Sequence, residues 1–90
     1  MITAYIDEPF LVVAQGKDFA KVIGRVRGDV LKRAKDGLDI NAHVDRKFEI
    51  EENSIIIQTP SGNRYKMENF DSDFLKAAIE WNEAQDAKSS

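Results

Sequence analysis

Apolar and polar residues alternate along residues 43–50 and 64–68, and the fully apolar run Ile55-Ile56-Ile57 lies between these two stretches. This pattern restricts the possible folds more than any other feature of the sequence. A two-residue period is typical of strands that have one buried face. Residues 51–53 form a short polar connection, and residues 60–63 contain Pro, Ser, Gly and Asn, which favour turns. The pattern therefore predicts three consecutive strands that pair as an antiparallel meander. The inward-facing residues of the first strand would be Val44, Phe48 and Ile50.

Two short apolar runs precede this segment, at residues 2–6 and 10–14. Asp7, Glu8 and Pro9 separate them as a turn-like break. The second run is aromatic and β-branched, which favours a strand. The sequence thus predicts one or two N-terminal strands in addition to the meander.

Residues 18–36 show the spacing of an amphipathic helix, with apolar side chains at i, i+3, i+4 and i+7. Asp18 can cap the start of this helix, and Gly37 follows its end. Gly24 and Gly28 interrupt the pattern, and each should weaken a helix by about 1 kcal/mol relative to alanine. The apolar face of the predicted helix comprises Phe19, Val22, Ile23, Val26, Val30, Leu31 and Ala34.

A second helix is predicted from about residue 72 to residue 86, with Asp71 as its N-cap. Phe70 precedes the cap and can pack on Leu75 as a hydrophobic staple. Its apolar face comprises Phe74, Leu75, Ala78 and Trp81. The elements together predict an α+β fold, in which an antiparallel sheet (the meander plus the N-terminal strand or strands) packs against two helices. At 90 residues the chain has room for one domain, residues 1–90.

The net charge of −3 conceals a basic segment and an acidic one. Residues 17–36 hold seven Lys or Arg against three Asp, whereas residues 70–90 hold five acids against two Lys. The predicted first helix would carry its cations on one stripe: Lys17, Lys21, Arg25, Lys32 and Lys35. Such a stripe could follow a nucleic-acid backbone or contact an acidic protein surface, or it could simply be a solvated helix face. A small nucleic-acid-binding protein is therefore one hypothesis.

Signatures of enzymatic chemistry are nearly absent. The chain has no cysteine, and His43 is its only histidine, so thiolate and histidine-rich metal sites are excluded. Asp71 and Asp73 could hold a hard cation, but their place at a predicted helix start favours capping. We expect no catalysis, no cofactor and no metal. The sequence has neither a signal-peptide pattern nor an apolar run long enough for a membrane span, which predicts a cytoplasmic protein without membrane contact.

A run of aromatic, apolar and acidic positions in the C-terminal part of the chain carries a resemblance to a known family. Residues Lys47 through Ser54 match without a gap, Ile55 through Gln58 continue the match, and a one-residue length difference falls in the 60–63 turn. The positions that then fall in step are Tyr65, Met67, Glu68, Asp71, Asp73, Leu75, Lys76, Glu80, Trp81 and Glu83. In this run the chain resembles the acidic phage anti-CRISPR proteins that inhibit the type I-F CRISPR surveillance complex. The first 30 residues show no such likeness.

The resemblance implies a phage protein that acts in the host cytoplasm by binding a type I CRISPR surveillance complex (Cascade). Its carboxylates would stand in for DNA phosphates against Lys and Arg of the Cas proteins, and so block target DNA. The acids that match by position are Glu51, Glu52, Glu68, Asp71, Asp73, Glu80 and Glu83. The family is acidic throughout, whereas this chain has a basic segment. A one-sided acidic surface, a different Cas target, or a role as partner of another protein therefore stays open.

Overall fold

A six-stranded sheet and one helix make up the fold. The structure, a computed structural model, describes residues 1–14, 19–30 and 35–89. In chain order the elements are β1 (Ala4–Val13), β2 (Ala20–Arg27), β3 (Asp39–His43), β4 (Glu49–Ile50), β5 (Ile55–Gln58), β6 (Arg64–Met67) and α1 (Ser72–Ser89). The prediction of two helices is wrong, because the described residues contain α1 alone.

The sheet has the strand order β3-β2-β1-β6-β5-β4. Four of its neighbouring pairs are antiparallel, but β1 and β6 run parallel, with Ala4 opposite Tyr65. The predicted antiparallel sheet is therefore wrong, and the sheet is mixed. Alternation along a strand reports which side chains are buried and does not report which distant strand lies beside it.

The segment predicted as the first helix forms β2 instead. Val22 and Val26 are four residues apart, so they fall on one side under either a helical or a strand period. Ile23 distinguishes the two: a helix would place it beside Val22, whereas here it lies on the opposite side of the sheet and pairs with Phe10. The β-branched residues favour a strand, and the interior Gly24 weakens a helix. Residues 18 and 31–34 of the predicted helix lie outside the described residues.

The two N-terminal apolar runs belong to one strand, β1, which contains a β-bulge at the predicted break. Asp7 pairs with Arg25 and Phe10 pairs with Ile23, so Glu8 and Pro9 together oppose Gly24. A Cβ on Gly24 would overlap Ile6 Cγ2 and lie 2.9 Å from the carbonyl oxygen of Asp7. Glycine is therefore required where the bulge presses against β2.

A short segment between β3 and β4 ties the two ends of the sheet together. The Val44 amide donates to the carbonyl of Ala20 at 3.0 Å, and the Asp45 amide donates to the carbonyl of Gln58 at 2.8 Å. Ala20 belongs to β2 and Gln58 to β5, the strands next to the two edges, so the sheet curls enough for this segment to reach both.

The second and third strands of the predicted meander are confirmed as β5 and β6, and β5 is antiparallel to both of its neighbours, β4 and β6. The first predicted strand is reduced to the two residues of β4, because residues 44–48 form no strand, and Ile50 is 38% exposed instead of facing inward. The predicted C-terminal helix is also confirmed, and Asp71 caps it, because its carboxylate accepts a 2.9 Å hydrogen bond from the Phe74 amide. The core lies between the helix and the inner face of the curled sheet. Its buried residues are Ile6, Ala20, Val22, Ala42, Phe48, Ile55, Ile57, Met67, Phe74, Ala78 and Trp81.

The helix is held to the segment between β3 and β4 by side-chain to backbone hydrogen bonds. Trp81 Nε1 donates to the carbonyl of Arg46 at 2.8 Å. The amide side chain of Asn82 both accepts from the Phe48 amide at 2.8 Å and donates to the Phe48 carbonyl at 2.9 Å. These contacts fix which face of α1 is turned away from the sheet.

Candidate binding surfaces

The outward face of α1 displays three of the predicted site acids together. Asp73, Glu80 and Glu83 are exposed. At about 100° per residue they fall within an arc of roughly 80° that points away from the core. Asp73, at one end of this arc, also borders a cavity between α1 and the Pro9–Leu11 segment of β1. Within the described part of the chain, no Lys or Arg forms an ion pair with them. We call these three residues the acidic face of α1.

The acidic face carries less charge than a nucleic-acid strand of the same length. Residues 73–86 span about 20 Å of helix and hold four carboxylates, whereas one strand of B-DNA carries roughly six phosphates over that length. Lys76 lies within the same arc, and Asp86 is already paired with Lys47 at 2.7 Å. The face can therefore replace a short stretch of phosphates and not a whole duplex.

The remaining predicted acids lie elsewhere on the molecule. Asp71 caps α1, as described above. Glu51 and Glu52 are exposed in the turn between β4 and β5, where Glu51 accepts a hydrogen bond from Ser54 Oγ at 3.2 Å. The structure thus brings together three of the seven acids that the sequence singled out, on one side of one helix.

Glu68 follows β6 and lies on the outer face of the sheet, away from α1. Met67 is buried in the core, so the side chain of the next residue points to the opposite side. Arg27 lies on the same face, where the hydrogen bond and charge of Asp7 raise the pKa of its guanidinium, and the charge of Glu68 adds a smaller contribution in the same direction. The guanidinium also stacks over Tyr5, 4.7 Å from the ring centroid.

The basic stripe predicted for a first helix is absent, because residues 20–27 form the strand β2. Lys21 and Arg25 lie on the outer face of β2, because a spacing of four keeps them on one side of a strand as well. Arg25 is flanked in register by Asp7 on β1 and Asp39 on β3. The outer face is therefore close to charge balance around Arg25, whereas Lys21 pairs with Val12 and His43 and has no acid beside it in register. Of the other predicted positions, Lys35 is exposed in the turn before β3, and Lys17 and Lys32 lie outside the described residues.

Sequence reasoning missed the aromatic residues on the outer face of the sheet. Phe10 is 66% exposed there, and Phe19 is 40% exposed, with its ring edge-on to His43 at 4.9 Å. His43 is exposed on the edge strand β3. A two-residue period applied to residues 19–27 places Phe19, Lys21 and Ile23 on the same side of a strand. That pattern could have predicted the exposed Phe19 from the sequence.

The chain matches no known protein family, no curated protein and no solved structure. Among the residues that the structure describes, no group of three or more His, Asp or Glu is placed to hold a metal ion. No helix in the described ranges has the length and apolar character needed for a membrane span.

Proposed function

We propose that this protein is a non-enzymatic phage inhibitor that binds a type I CRISPR surveillance complex in the host cytoplasm and blocks target-DNA binding. The observation that carries the proposal is the acidic face of α1, where three exposed carboxylates have no ion-pair partner among the described residues. The residues from Lys47 to Glu83 that resemble the anti-CRISPR family include all three.

The physical basis is competition for cationic sites. A protein groove that holds DNA presents Lys and Arg at the positions of phosphates, and such a groove attracts other anions that have a suitable spacing. A helix fixes the backbone positions from which its carboxylates project, so the entropy lost on binding is limited to that of the side chains. Complementary charge also speeds the encounter at low ionic strength.

The proposed mimicry is partial and one-sided. The low charge density of α1 limits contact to a few phosphate-binding positions, and the opposite side of the sheet carries Lys21, Arg25 and Lys66. The protein would therefore dock with α1 toward the complex and the outer sheet face toward solvent. Glu51 and Glu52 could extend the contact only if the complex reaches the β4–β5 turn.

The test measures binding of a labelled target duplex to a purified, guide-loaded type I-F complex, with and without this protein. Asp73→Lys, Glu80→Lys and Glu83→Lys are combined in one variant. A matched control combines Glu8→Lys, Asp39→Lys and Glu49→Lys, which changes the net charge by the same amount at exposed acids that belong neither to the acidic face nor to the acids matched by the resemblance. We expect the first variant to lose inhibition by at least about 100-fold, since several close charge pairs are reversed.

The control variant should inhibit within a few-fold of the original protein, and both variants should retain their circular dichroism spectrum. Equal inhibition by the α1 variant and the original protein would contradict the proposal. Equal loss in both variants would indicate a response to overall charge and would also contradict it. Complexes loaded with the duplex beforehand should resist the inhibitor.

The nucleic-acid hypothesis loses its structural basis, because it required a basic stripe on a first helix. Lys21 and Arg25 do share a side of β2, but aspartates flank Arg25 on both neighbouring strands. A gel shift of single- and double-stranded DNA by this protein alone, at low salt, tests what remains of it, with Lys21→Glu and Arg25→Glu as the variant.

A further inference from the structure

The edge strand β3 directs the backbone groups of its odd-numbered residues away from the sheet. Val44 donates to the carbonyl of Ala20, and the Val26 amide donates to the carbonyl of Leu38. These bonds place the even-numbered residues of the β2–β3 ladder in hydrogen-bonded pairs. The amides and carbonyls of Asp39, Asn41 and His43 must therefore point outward from the free edge.

Nothing in the described part of the chain pairs with these outward groups. β3 has β2 as its one strand partner, and no hydrogen bond to the amides or carbonyls of the three residues comes from elsewhere in the described ranges. A row of three amides and three carbonyls is thus available at an extended, rigid edge. Such an edge is a template for one more strand.

A groove runs beside this edge. Asn41, Ala42 and His43 form one wall, and the turn between β5 and β6 forms the other. The groove has a volume of about 370 Å³, and Tyr65 also lines it. Two residues past His43, the Asp45 amide bonds to the carbonyl of Gln58, the last residue of β5.

We propose that the free edge of β3 binds an extended peptide segment of a partner protein, which adds to the sheet as an antiparallel strand within this groove. Main-chain hydrogen bonds to Asp39, Asn41 and His43 would supply the attachment, as in other cases of strand addition. This surface is distinct from the acidic face of α1, so the proposal does not depend on the proposed function.

The side chains along β3 specify the chemistry of the peptide. Asp39 and His43 lie on the outer face at the two ends of the edge, and Lys21 pairs with His43 in the β2–β3 register. An antiparallel peptide would therefore place an acidic residue opposite His43 and a basic residue opposite Asp39. Its intervening residues would face the groove beside Ala42 and Tyr65, which favours small apolar side chains.

A second copy of this chain is a poorer occupant than a lone peptide. Its own β3 would bring β2 with it, about 4.8 Å farther from the edge. The turn residues 59–63 border the groove on that side, so a single extended strand needs less room there than a strand that brings a second one with it.

The probe is a capped pentapeptide with glutamate first, threonine in the centre, lysine last and valine at the two remaining positions. Its control has glutamate and lysine exchanged, so the composition is identical and the charge pattern is reversed. Amide hydrogen exchange followed by NMR reports on the protein. The amides of Asp39, Asn41 and His43 should exchange rapidly in the free protein and become protected at least about tenfold with the probe, and more weakly with the control.

Asn41→Pro removes an outward-facing donor without breaking the ladder to β2, because the Asn41 amide does not belong to that ladder. Asn41→Ala is its matched control and keeps the amide. We expect Asn41→Pro to weaken binding of the probe roughly tenfold or more and Asn41→Ala to leave it nearly unchanged. Exchange rates of the β2 amides show whether the variant keeps the sheet.

Three outcomes would overturn the proposal. Protection of the three amides in the free protein would mean that the edge is already covered, and protection that rises with protein concentration would identify a second copy as the occupant. No protection by either peptide at millimolar concentration would show that the edge does not accept a strand. None of these results bears on inhibition of the surveillance complex, which is measured separately, so either proposal can be refuted without the other.

Discussion

Replacing Gly24 with alanine should destabilise this protein, although the same substitution within a helix would stabilise it. In the structure a Cβ at position 24 overlaps Ile6 Cγ2 and lies 2.9 Å from the carbonyl oxygen of Asp7. The side chain of Ile6 is fully buried, and the Asp7 carbonyl belongs to the bulged strand, so neither atom can move freely. Overpacking of this kind costs about 1–3 kcal/mol.

The backbone preference partly offsets that cost, because alanine is better than glycine inside a strand by roughly 0.5–1 kcal/mol. Because the Cβ would overlap a buried atom, we take the overpacking cost as about 3 kcal/mol, and subtracting the backbone gain leaves a net loss of stability of about 2 kcal/mol. For a chain of this size, a urea dependence of about 1 kcal/mol per molar converts this loss into a fall of roughly 2 M in the unfolding midpoint.

Urea unfolding followed by Trp81 fluorescence measures the effect, and Arg25→Ala serves as the control. Arg25 is the next residue of β2 but is exposed on the outer face, so its truncation should change stability by no more than about 0.5 kcal/mol. A helix over residues 18–36 would instead gain about 1 kcal/mol from Gly24→Ala. A rise in the midpoint would therefore refute the bulge and the placement of Gly24 against β1.

Two further substitutions test the attachment of α1. Asp71→Ala removes the cap on the Phe74 amide and should lower the free energy of unfolding by about 1 kcal/mol. Ser72→Ala is the control, and thermal unfolding followed by circular dichroism should give Asp71→Ala the lower midpoint. Equal midpoints would contradict the capping role. Asn82→Ala removes both hydrogen bonds to the Phe48 backbone and should lower the free energy of unfolding, measured in urea, by about 2 kcal/mol. Glu83→Ala, at an exposed position, should leave it nearly unchanged. An equally small effect of Asn82→Ala would show that these bonds do not anchor the helix.

The parts of the fold that the sequence predicted correctly are those determined by interactions between residues close together in the chain. The pairing of β5 with β6 follows from the two-residue period and the turn at Pro60–Asn63, and α1 follows from its cap at Asp71 and its apolar face. Each of these signals acts between residues that are close along the chain. The pattern was therefore sufficient to place them.

The wrong predictions concern segments whose hydrophobic pattern fits both a helix and a strand, or features that depend on contacts between residues far apart in the sequence. Val22 and Val26 satisfy both a helical and a strand period, and only Ile23 and Gly24 carried the distinction. The parallel pairing of Ala4 with Tyr65 leaves no trace in local periodicity. The acids were chosen by position, and the structure separates Glu68 from Glu80 because the sheet lies between them.

The central position of β1 has a consequence for the order of folding. The β1–β2 hairpin involves residues close in sequence, so it can form early. The other side of β1 must wait for β6, because Ala4 is joined to Tyr65 and the chain between them has to close a long loop. During synthesis, β1 therefore keeps one side unpaired until β6 has left the ribosome. Changes at this junction should slow refolding more than equally destabilising changes within the meander.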